Sequence, residues 1–252
     1  MLVSLRNYSN YSICESNIKI DDLVNFASKN NLSAIGLTDY KLLSGSLEFS
    51  IKCQKAGIQP IIGLDIDYVS ILGHSKRVTF LSKSEEGFKN LNILSTEVNT
   101  NNNFLLNENN IKNYANGNIL ILGGLYSYFD DIPINQKNLN KVLNEIKNLK
   151  EIFKNDLFFE YDPNLNNILL KEVSKKLEIP LFNSFFSFYK STNDFDAMQI
   201  LHCVKNGEYL QNSTFKIKNN YSLDKLVDNL DNSLDLNSQF IAQKINFLIK
   251  EK

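Results

Sequence analysis

The sequence has almost no arginine, no tryptophan and few histidines or cysteines. Among 252 residues, 27 are lysine or arginine, yet only Arg6 and Arg77 are arginine. The three cysteines, Cys14, Cys53 and Cys203, are an odd number at long and unrelated spacings, and no two form a C-x-x-C pair. This pattern argues against a disulfide framework and favours reduced thiols in the cytosol.

The sequence also lacks a strong excess of either charge and any long apolar run. Its formal net charge is -1, so contact with DNA would have to be local or supplied by a partner. No apolar run approaches the ~18 residues of a membrane span, and no basic leader precedes an apolar segment. We therefore expect a soluble, cytoplasmic protein without a membrane partner.

Helical and strand-like apolar spacings alternate along the chain. Helical spacing at residues 20–30 predicts a helix, and a strand follows in "SAIGLTD". A second helix is expected in "SGSLEFSIKCQKAG", where it stops at Gly57, and the next strand in "IQPIIGLDIDYV". This alternation predicts an α/β fold with a parallel sheet covered by helices, and its repetition favours a barrel. Further strands are expected in "RVTFLSK", "NILILGG", "LFFEY" and "IPLFNSF", helices near 85–98, 138–153 and 166–177, a loop at 99–110, and a less regular helical segment at 221–250.

Carboxylates follow several of the predicted strands, where α/β barrels place their chemistry. Asp39, Asp65 and Glu160 lie at such ends and could bind a metal or act as acid and base. The two histidines favour simpler interpretations, with His74 on the surface and His202 partly buried against an apolar helix. No nucleophile elbow, Walker loop, H-E-x-x-H or dinucleotide fingerprint is present.

Several segments resemble one known family in order and spacing. "LVSLRNYSNYSICES" resembles the first motif of the PHP domain (polymerase and histidinol phosphatase family), in the form found at the N-terminus of the bacterial DNA polymerase III alpha subunit. The similarity continues through "AIGLTDYKLLSGSLEFSIKCQKAGIQPIIGLDID", "VTFLSKSEEGFKNLNILST", "GNILILGGL" and "IPLFNSFFSFYKSTNDFDAMQILHCVKNG". The resemblance implies a distorted (β/α)7-type barrel in one domain, 1–252, with the barrel at about 1–210. It also implies a C-terminal helical segment at 211–252 that leads towards an absent polymerase palm.

The resemblance also locates the positions of the family's metal pocket. Active members hold a metal cluster with histidines, carboxylates and a cysteine, and use it to hydrolyse phosphoesters. Of the matching residues here, only Glu15 and Asp65, with neighbouring Asp39, could still be ligands, because arginine stays protonated and phenylalanine has no lone pair. The matching positions are Ser4, Arg6, Tyr8, Glu15, Tyr40, Asp65, Arg77, Gly124, Phe185, Phe186, Ser187 and Phe188.

Both arginines of the chain fall on former metal-ligand positions. We predict that Arg6 and Arg77 replace the positive charge of the metal and bind Glu15, Asp39 or Asp65, because a guanidinium stays charged and offers five donors in a plane. The alternative is that two surface arginines occupy these positions by chance.

Because most of the family's metal ligands are missing, we expect a non-catalytic domain, without a cofactor of its own, that stabilises the rest of the polymerase alpha subunit. The resemblance implies that it also docks the proofreading exonuclease subunit. The parent polymerase would use Mg²⁺, but the P-D-x-D-x-D carboxylates of a polymerase site are absent here. An alternative is a metal-dependent phosphoesterase or 3′-5′ exonuclease with Mn²⁺ or Zn²⁺ at Asp39 and Asp65.

A further alternative is a free-standing binding module. In that case the aromatic side chains at the pocket mouth would stack on bases and should be exposed, although aromatics at such positions more often fill a vacated cavity. Direct DNA contact could also use "IKCQKAGIQP" or the lysine-rich stretch at 137–154, which more simply form solvated faces. The aromatic residues concerned are Tyr8, Tyr40, Phe185, Phe186 and Phe188.

Overall fold

The structure is a computed structural model that describes residues 2–125, 128–129, 136–165, 167–183, 187–215, 221–230 and 236–249. Strands and α-helices alternate along most of this part of the chain, as the sequence predicts. The strands are β1 (Leu2–Ser4), β2 (Leu32–Leu37), β3 (Gln59–Val69), β4 (Ser75–Ser82), β5 (Leu106–Asn107), β6 (Asn118–Gly123), β7 (Leu157–Tyr161) and β8 (Leu181–Asn183). The helices are α1 (Ile20–Lys29), α2 (Ser46–Lys55), α3 (Glu85–Thr100), α4 (Gln136–Phe153), α5 (Ile168–Leu177), α6 (Phe195–Asn206), α7 (Leu223–Leu230) and α8 (Leu236–Gln243).

The chain divides into two compact units, which we describe one at a time. Unit 1 comprises Met1–Ile62, Phe185–Leu234 and Leu248–Lys252, and unit 2 comprises Gly63–Ser184 and Asp235–Phe247. The division falls inside β3, whose first four residues belong to unit 1 and whose remaining residues belong to unit 2. The single-domain organisation expected from the sequence stays a prediction.

Unit 1 is built on parallel strands. β1 pairs with β2, and β2 pairs with the start of β3. α1 buries Leu23, Val24 and Ala27, which recur at helical spacing as the sequence predicts. α2 ends just before Gly57, whose φ of +71° is the left-handed backbone that glycine adopts without strain.

Unit 2 contains an antiparallel strand that corrects the prediction of a parallel sheet. β4 pairs antiparallel with both β3 and β6, whereas β6, β7 and β8 are parallel to one another. The physical reason is the link between β3 and β4: a tight turn around Gly73, with φ +79°, returns the chain directly. A hairpin of this kind needs no crossover helix and makes its strands antiparallel.

Most predicted helices are confirmed with small changes of boundary. α3, α4 and α5 correspond to the predicted helices near 85–98, 138–153 and 166–177. The loop predicted at 99–110 is partly wrong, because α3 extends to Thr100 and the short strand β5 pairs with the end of β3. The last segment is helical in its described residues, where α7 and α8 lie.

Candidate functional site

Residues 4–9, which begin at the last residue of β1, form a buried segment of unit 1 that contains several of the predicted site residues. Residues 4–9 are all buried, although five of the six side chains are polar. Asn7 holds the segment in place through two hydrogen bonds. Its side-chain amide donates to the backbone carbonyl of Gly36 at 3.0 Å, and its backbone carbonyl accepts from the backbone amide of Thr38 at 2.9 Å. Because a buried backbone must satisfy its polar groups, these bonds fix the directions of the neighbouring side chains.

Arg6 lies in this segment with only 2% of its surface exposed. Its Nη2 donates to the hydroxyl of Tyr8 at 2.8 Å, and the guanidinium lies 6.0 Å from the centroid of the Tyr8 ring. The possibility that Arg6 is a surface residue is therefore wrong. A bond between Arg6 and a carboxylate stays a prediction.

Aromatic rings pack tightly beside Arg6. The ring of Tyr8 stacks on that of Phe188, with centroids 4.5 Å apart and an angle of 14° between planes. Phe188 in turn meets Tyr221 edge to face at 6.3 Å, and neither Tyr8 nor Phe188 is exposed. Rings buried in this way cannot receive a base, so this cluster fills space and does not form a stacking platform. Phe185 and Phe186 lie outside the described residues.

Asp39 follows β2 and has 2% of its surface exposed. Oδ1 accepts from the backbone amide of Ser9 at 2.7 Å and from the hydroxyl of Ser12 at 2.6 Å, while Oδ2 accepts from the hydroxyl of Ser9 at 2.7 Å. Burial raises the pKa of Asp39, and these hydrogen bonds oppose that rise. The carboxylate is held by uncharged donors.

Glu15 lies in the same unit and pairs with Lys205 from α6. Glu15 is largely buried, whereas Lys205 is about one-third exposed. Lys205 also lies over the half-buried ring of Tyr40, 5.2 Å from its centroid, and Lys41 approaches that ring at 4.7 Å. Glu15 therefore lies next to a lysine that no motif or spacing in the sequence singled out.

Asp65 and Arg77 lie together in unit 2. On the antiparallel ladder, Asp65 faces Thr79 and Asp67 faces Arg77, so residues two apart share one side of the sheet. Thr79 donates its hydroxyl to Oδ1 of Asp65 at 2.8 Å, and Nη1 of Arg77 lies 3.6 Å from Oδ2. Asp65 is fully buried and the Arg77 side chain is 12% exposed, so the predicted pairing of these two residues is present.

The backbone turns at Gly124, where the resemblance places the cysteine of the family. Gly123 and Gly124 have φ of +125° and +70°, and the amide of Gly124 donates to the carbonyl of Glu160 at 3.1 Å. A Cβ at Gly123 would lie 2.1 Å from that carbonyl oxygen. A side chain at Gly123 is therefore sterically excluded, and Gly124 offers no thiolate.

The histidines contribute no metal site in the described chain. His74 is exposed in the hairpin turn, as expected, and His202 is half-buried, with its ring 5.2 Å from that of Phe215. Across the described residues, no group of three or more histidine, cysteine, aspartate or glutamate side chains could hold a metal ion.

The donors around the carboxylates also fit a metal cluster poorly. Hydroxyl and amide groups surround Asp39, an ammonium group approaches Glu15, and a hydroxyl and a guanidinium face Asp65. A metal needs lone pairs from several ligands, whereas these neighbours mainly present protons. The residues present therefore do not fit the family's metal cluster within either unit.

Sequence reasoning missed the buried carboxylate of Glu145 in unit 2. Glu145 on α4 is 1% exposed and accepts from the hydroxyl of Tyr68 at 2.7 Å, from the hydroxyl of Tyr128, and from the amide of Ile71 at 3.1 Å. Burial raises the pKa of Glu145 and the tyrosine bonds oppose the rise. The available signal was helical spacing, because Val142, Glu145 and Ile146 share the buried side of α4.

Comparison with known proteins assigns the chain to a family. The family model described as "PHP domain" matches residues 4–164, which is more than half of the chain. The chain belongs to the PHP domain family. Its α/β fold is therefore of the PHP type, as the sequence resemblance predicts.

Curated relatives of this PHP chain carry the name of a DNA polymerase subunit. It is 28% identical to the DNA polymerase III subunit alpha of Borreliella burgdorferi, over 96% of this chain and 23% of the relative. It is also 28% identical to the protein of that name from Buchnera aphidicola, over 97% of this chain and 22% of the relative. The PHP chain thus spans less than a quarter of the length of these relatives.

A solved structure supports the fold. An amidohydrolase from Chromobacterium violaceum has a TM-score of 0.51 and 8% identity, over 75% of this chain and 88% of that chain. At this identity the similarity concerns the fold alone.

Among the described residues of the PHP chain, no helix has the length and apolar character required to span a membrane.

Proposed function

We propose that this chain is a non-catalytic PHP domain of a DNA polymerase III alpha-type subunit. In this role it stabilises the polymerase and offers a docking surface to the proofreading exonuclease subunit. Its relatives carry the alpha-subunit name over four times this length, so nucleotide transfer with Mg²⁺ would belong to the remainder of the subunit.

One observation carries the non-catalytic part of the proposal. At the positions that match the family's metal ligands, and at neighbouring Asp39, the chain supplies its own donors and cations to each carboxylate. These are Ser9 and Ser12 to Asp39, Lys205 to Glu15, and Arg77 to Asp65. A bound metal would have to displace these partners and also find further ligands. Hydrolysis that depends on metal-activated water therefore has no support from the donor set.

The first experiment measures thermal unfolding of the 252-residue chain in excess chelator and again in millimolar Mn²⁺ or Zn²⁺. We expect the same midpoint in each condition. A ligand at a hundred times its Kd would stabilise the folded state by about 2.7 kcal/mol, which a thermal scan detects easily. Asp39→Asn and Asp65→Asn serve as matched controls, because they should abolish any shift that arises from these carboxylates.

The opposite result would favour the phosphoesterase alternative. An upward shift in metal that disappears in the two controls, together with hydrolysis of bis(p-nitrophenyl) phosphate, would overturn the non-catalytic assignment. Docking is tested separately by co-elution of the chain with the purified proofreading subunit from the same source. If the two proteins do not co-elute at micromolar concentration, the docking role is wrong even when the metal result holds.

A further inference from the structure

Unit 2 contains a basic groove that the site above does not use. The groove has a volume of about 640 Å³ and lies at one end of β4, β6 and β7. Its basic residues are Lys83 after β4, Lys112 before β6, Lys154 before β7 and Lys244 after α8. Four separate segments of a chain with net charge -1 thus bring lysines to one concave surface.

Two of the lysines are fixed by one carboxylate. Asp156 forms ion pairs with both Lys83 and Lys244, and Lys244 also donates to the carbonyl of Asn155 at 2.6 Å. Asp156 is the only acidic residue among the described residues that line the groove. With four ammonium groups and one carboxylate, the lining retains a positive charge of about three.

The other two lysines lie at the exposed edge. Lys112 and Lys154 are both solvent-exposed, and neither forms an ion pair within the described part of the chain. Lys154 also has φ +53°, a left-handed conformation that is uncommon for a residue with a side chain. Glu86 lies near this edge but binds the amide of Asn116, at 2.6 Å, and does not line the groove.

The remaining lining indicates which anion the groove suits. Phe153 contributes to the lining but is 4% exposed, so it offers no ring on which a base could stack. At the exposed edge, the ammonium groups of Lys112 and Lys154 are compact point charges on flexible stems, which suit the successive phosphates of a nucleic-acid backbone. From this combination we propose that the groove binds the phosphodiester backbone of DNA without reading its sequence.

This proposal does not depend on the docking role or on the vestigial metal positions. Backbone contacts of this kind give weak, salt-dependent binding, with Kd values of about 10⁻⁴ to 10⁻⁶ M. Each lysine that neutralises a phosphate contributes about 0.9 to the slope of log K against log salt. The slope therefore counts the lysines that take part.

The experiment measures binding of a fluorescein-labelled 20-base-pair duplex by anisotropy between 50 and 200 mM NaCl. The test variant is Lys112→Gln with Lys154→Gln, which leaves the ion pairs of Asp156 intact. The matched control is Lys29→Gln with Lys175→Gln, which removes the same charge from exposed helix positions outside the groove. A third variant, Asp156→Asn, removes the carboxylate, and circular dichroism confirms that each variant is folded.

We expect the test variant to bind roughly tenfold more weakly at 100 mM salt, with a slope smaller by about 1.8, since two phosphate contacts are lost. The control should bind like the wild type, and Asp156→Asn should bind more tightly. Equal affinity of the test and control variants, or no binding of the duplex by the wild type at 50 mM salt, would overturn the proposal. Displacement of DNA by equimolar inorganic tripolyphosphate would also overturn it, because the groove would then be a small-anion site.

Discussion

Asp39 and Asp65 are both buried carboxylates that follow or lie in strands, but the protein stabilises them in different ways. In unit 1, Asp39 accepts hydrogen bonds from two serine hydroxyls and a backbone amide. In unit 2, Asp65 accepts from one threonine and faces the guanidinium of Arg77. Asp39 is thus stabilised by hydrogen bonds from uncharged groups, whereas Asp65 is also stabilised by the positive charge of Arg77.

The difference shows two ways in which the protein offsets the burial of a carboxylate. Burial costs an ionised carboxylate several kcal/mol unless hydrogen bonds or an opposite charge compensate it. Asp39 gains this compensation from uncharged donors on one short segment, Ser9 and Ser12, which lie 30 and 27 residues away in the sequence. Asp65 depends on β4 being in register with β3, so that Arg77 and Thr79 lie on its side of the sheet.

Arg77→Met should have the largest effect on stability. It keeps most of the side-chain volume but removes the positive charge that faces fully buried Asp65, so the free energy of unfolding should fall by about 3 kcal/mol. Urea unfolding at pH 7.5 measures this loss. If the two side chains interact, the double variant with Asp65→Asn should lose less than the sum of the single losses, because it removes both members of the pair. Additive losses would show that the two side chains do not interact.

Asp39→Ala should rank second. It leaves the Ser9 amide and two serine hydroxyls without their acceptor, at a cost of about 2–3 kcal/mol by urea unfolding. Asp39→Asn keeps an acceptor oxygen and should lose about 1 kcal/mol at pH 7.5. If Asp39→Asn destabilised the protein as strongly as Arg77→Met, Asp39 would also depend on a compensating charge and the contrast would be wrong.

The pH dependence of Asp39→Asn sharpens the contrast. The pKa of Asp39 is raised in the folded protein, so this residue's contribution to stability is fully present below the unfolded pKa, near 3.8. It is lost as pH rises through the raised folded pKa. Asparagine does not titrate, so the difference between wild type and Asp39→Asn should grow as pH is lowered from 7.5 towards 4.5. A constant difference across this range would show that the pKa is not raised.

Tyr128→Phe should produce the opposite trend with pH. The hydroxyl of Tyr128 donates to buried Glu145, and its loss should cost about 1.5–2 kcal/mol at pH 7.5. Because the lost bond stabilises the ionised form, the already raised pKa of Glu145 should rise further. The difference from wild type should therefore shrink as pH falls and Glu145 becomes protonated.

A matched control for this variant is Tyr114→Phe. Tyr114 donates to Glu97 at the partly exposed surface of α3, so its loss should cost less and should change little with pH. If both variants behaved alike, the burial of Glu145 would not explain the trend.

The sequence predicted the elements of the fold better than the partners within the site. Periodicity identified α1 to α5 and most strands, because burial of one helix face or of a whole strand leaves a local pattern. The antiparallel direction of β4 was missed, although the polar turn around Gly73 was visible. Strand direction depends on whether a crossover follows, and the apolar runs do not encode it.

Within the candidate site, sequence reasoning predicted a pair of partners only where both residues lie on the paired strands β3 and β4. Arg77 and Asp65 were singled out by resemblance and meet through strand register. Lys205 was not singled out, because 190 residues separate it from Glu15. It lies on α6, where the spacing of apolar residues predicts a helix but not the partner of a lysine. Side-chain pairs at that separation depend on how the chain folds back, which no local spacing reveals.

Lys205→Gln should have the smallest effect and tests whether Glu15 resembles Asp39 or Asp65. The Lys205 side chain is 35% exposed, so solvent screens its pair with Glu15 and the loss should be about 1 kcal/mol or less. Thermal unfolding in 50 and 500 mM NaCl should show that salt narrows the difference from wild type. Lys190→Gln, which removes an exposed pair with Asp22, is the matched control and should show a similar small loss. A salt-independent loss near that of Arg77→Met would place Glu15 with Asp65, as a buried carboxylate that requires a compensating charge.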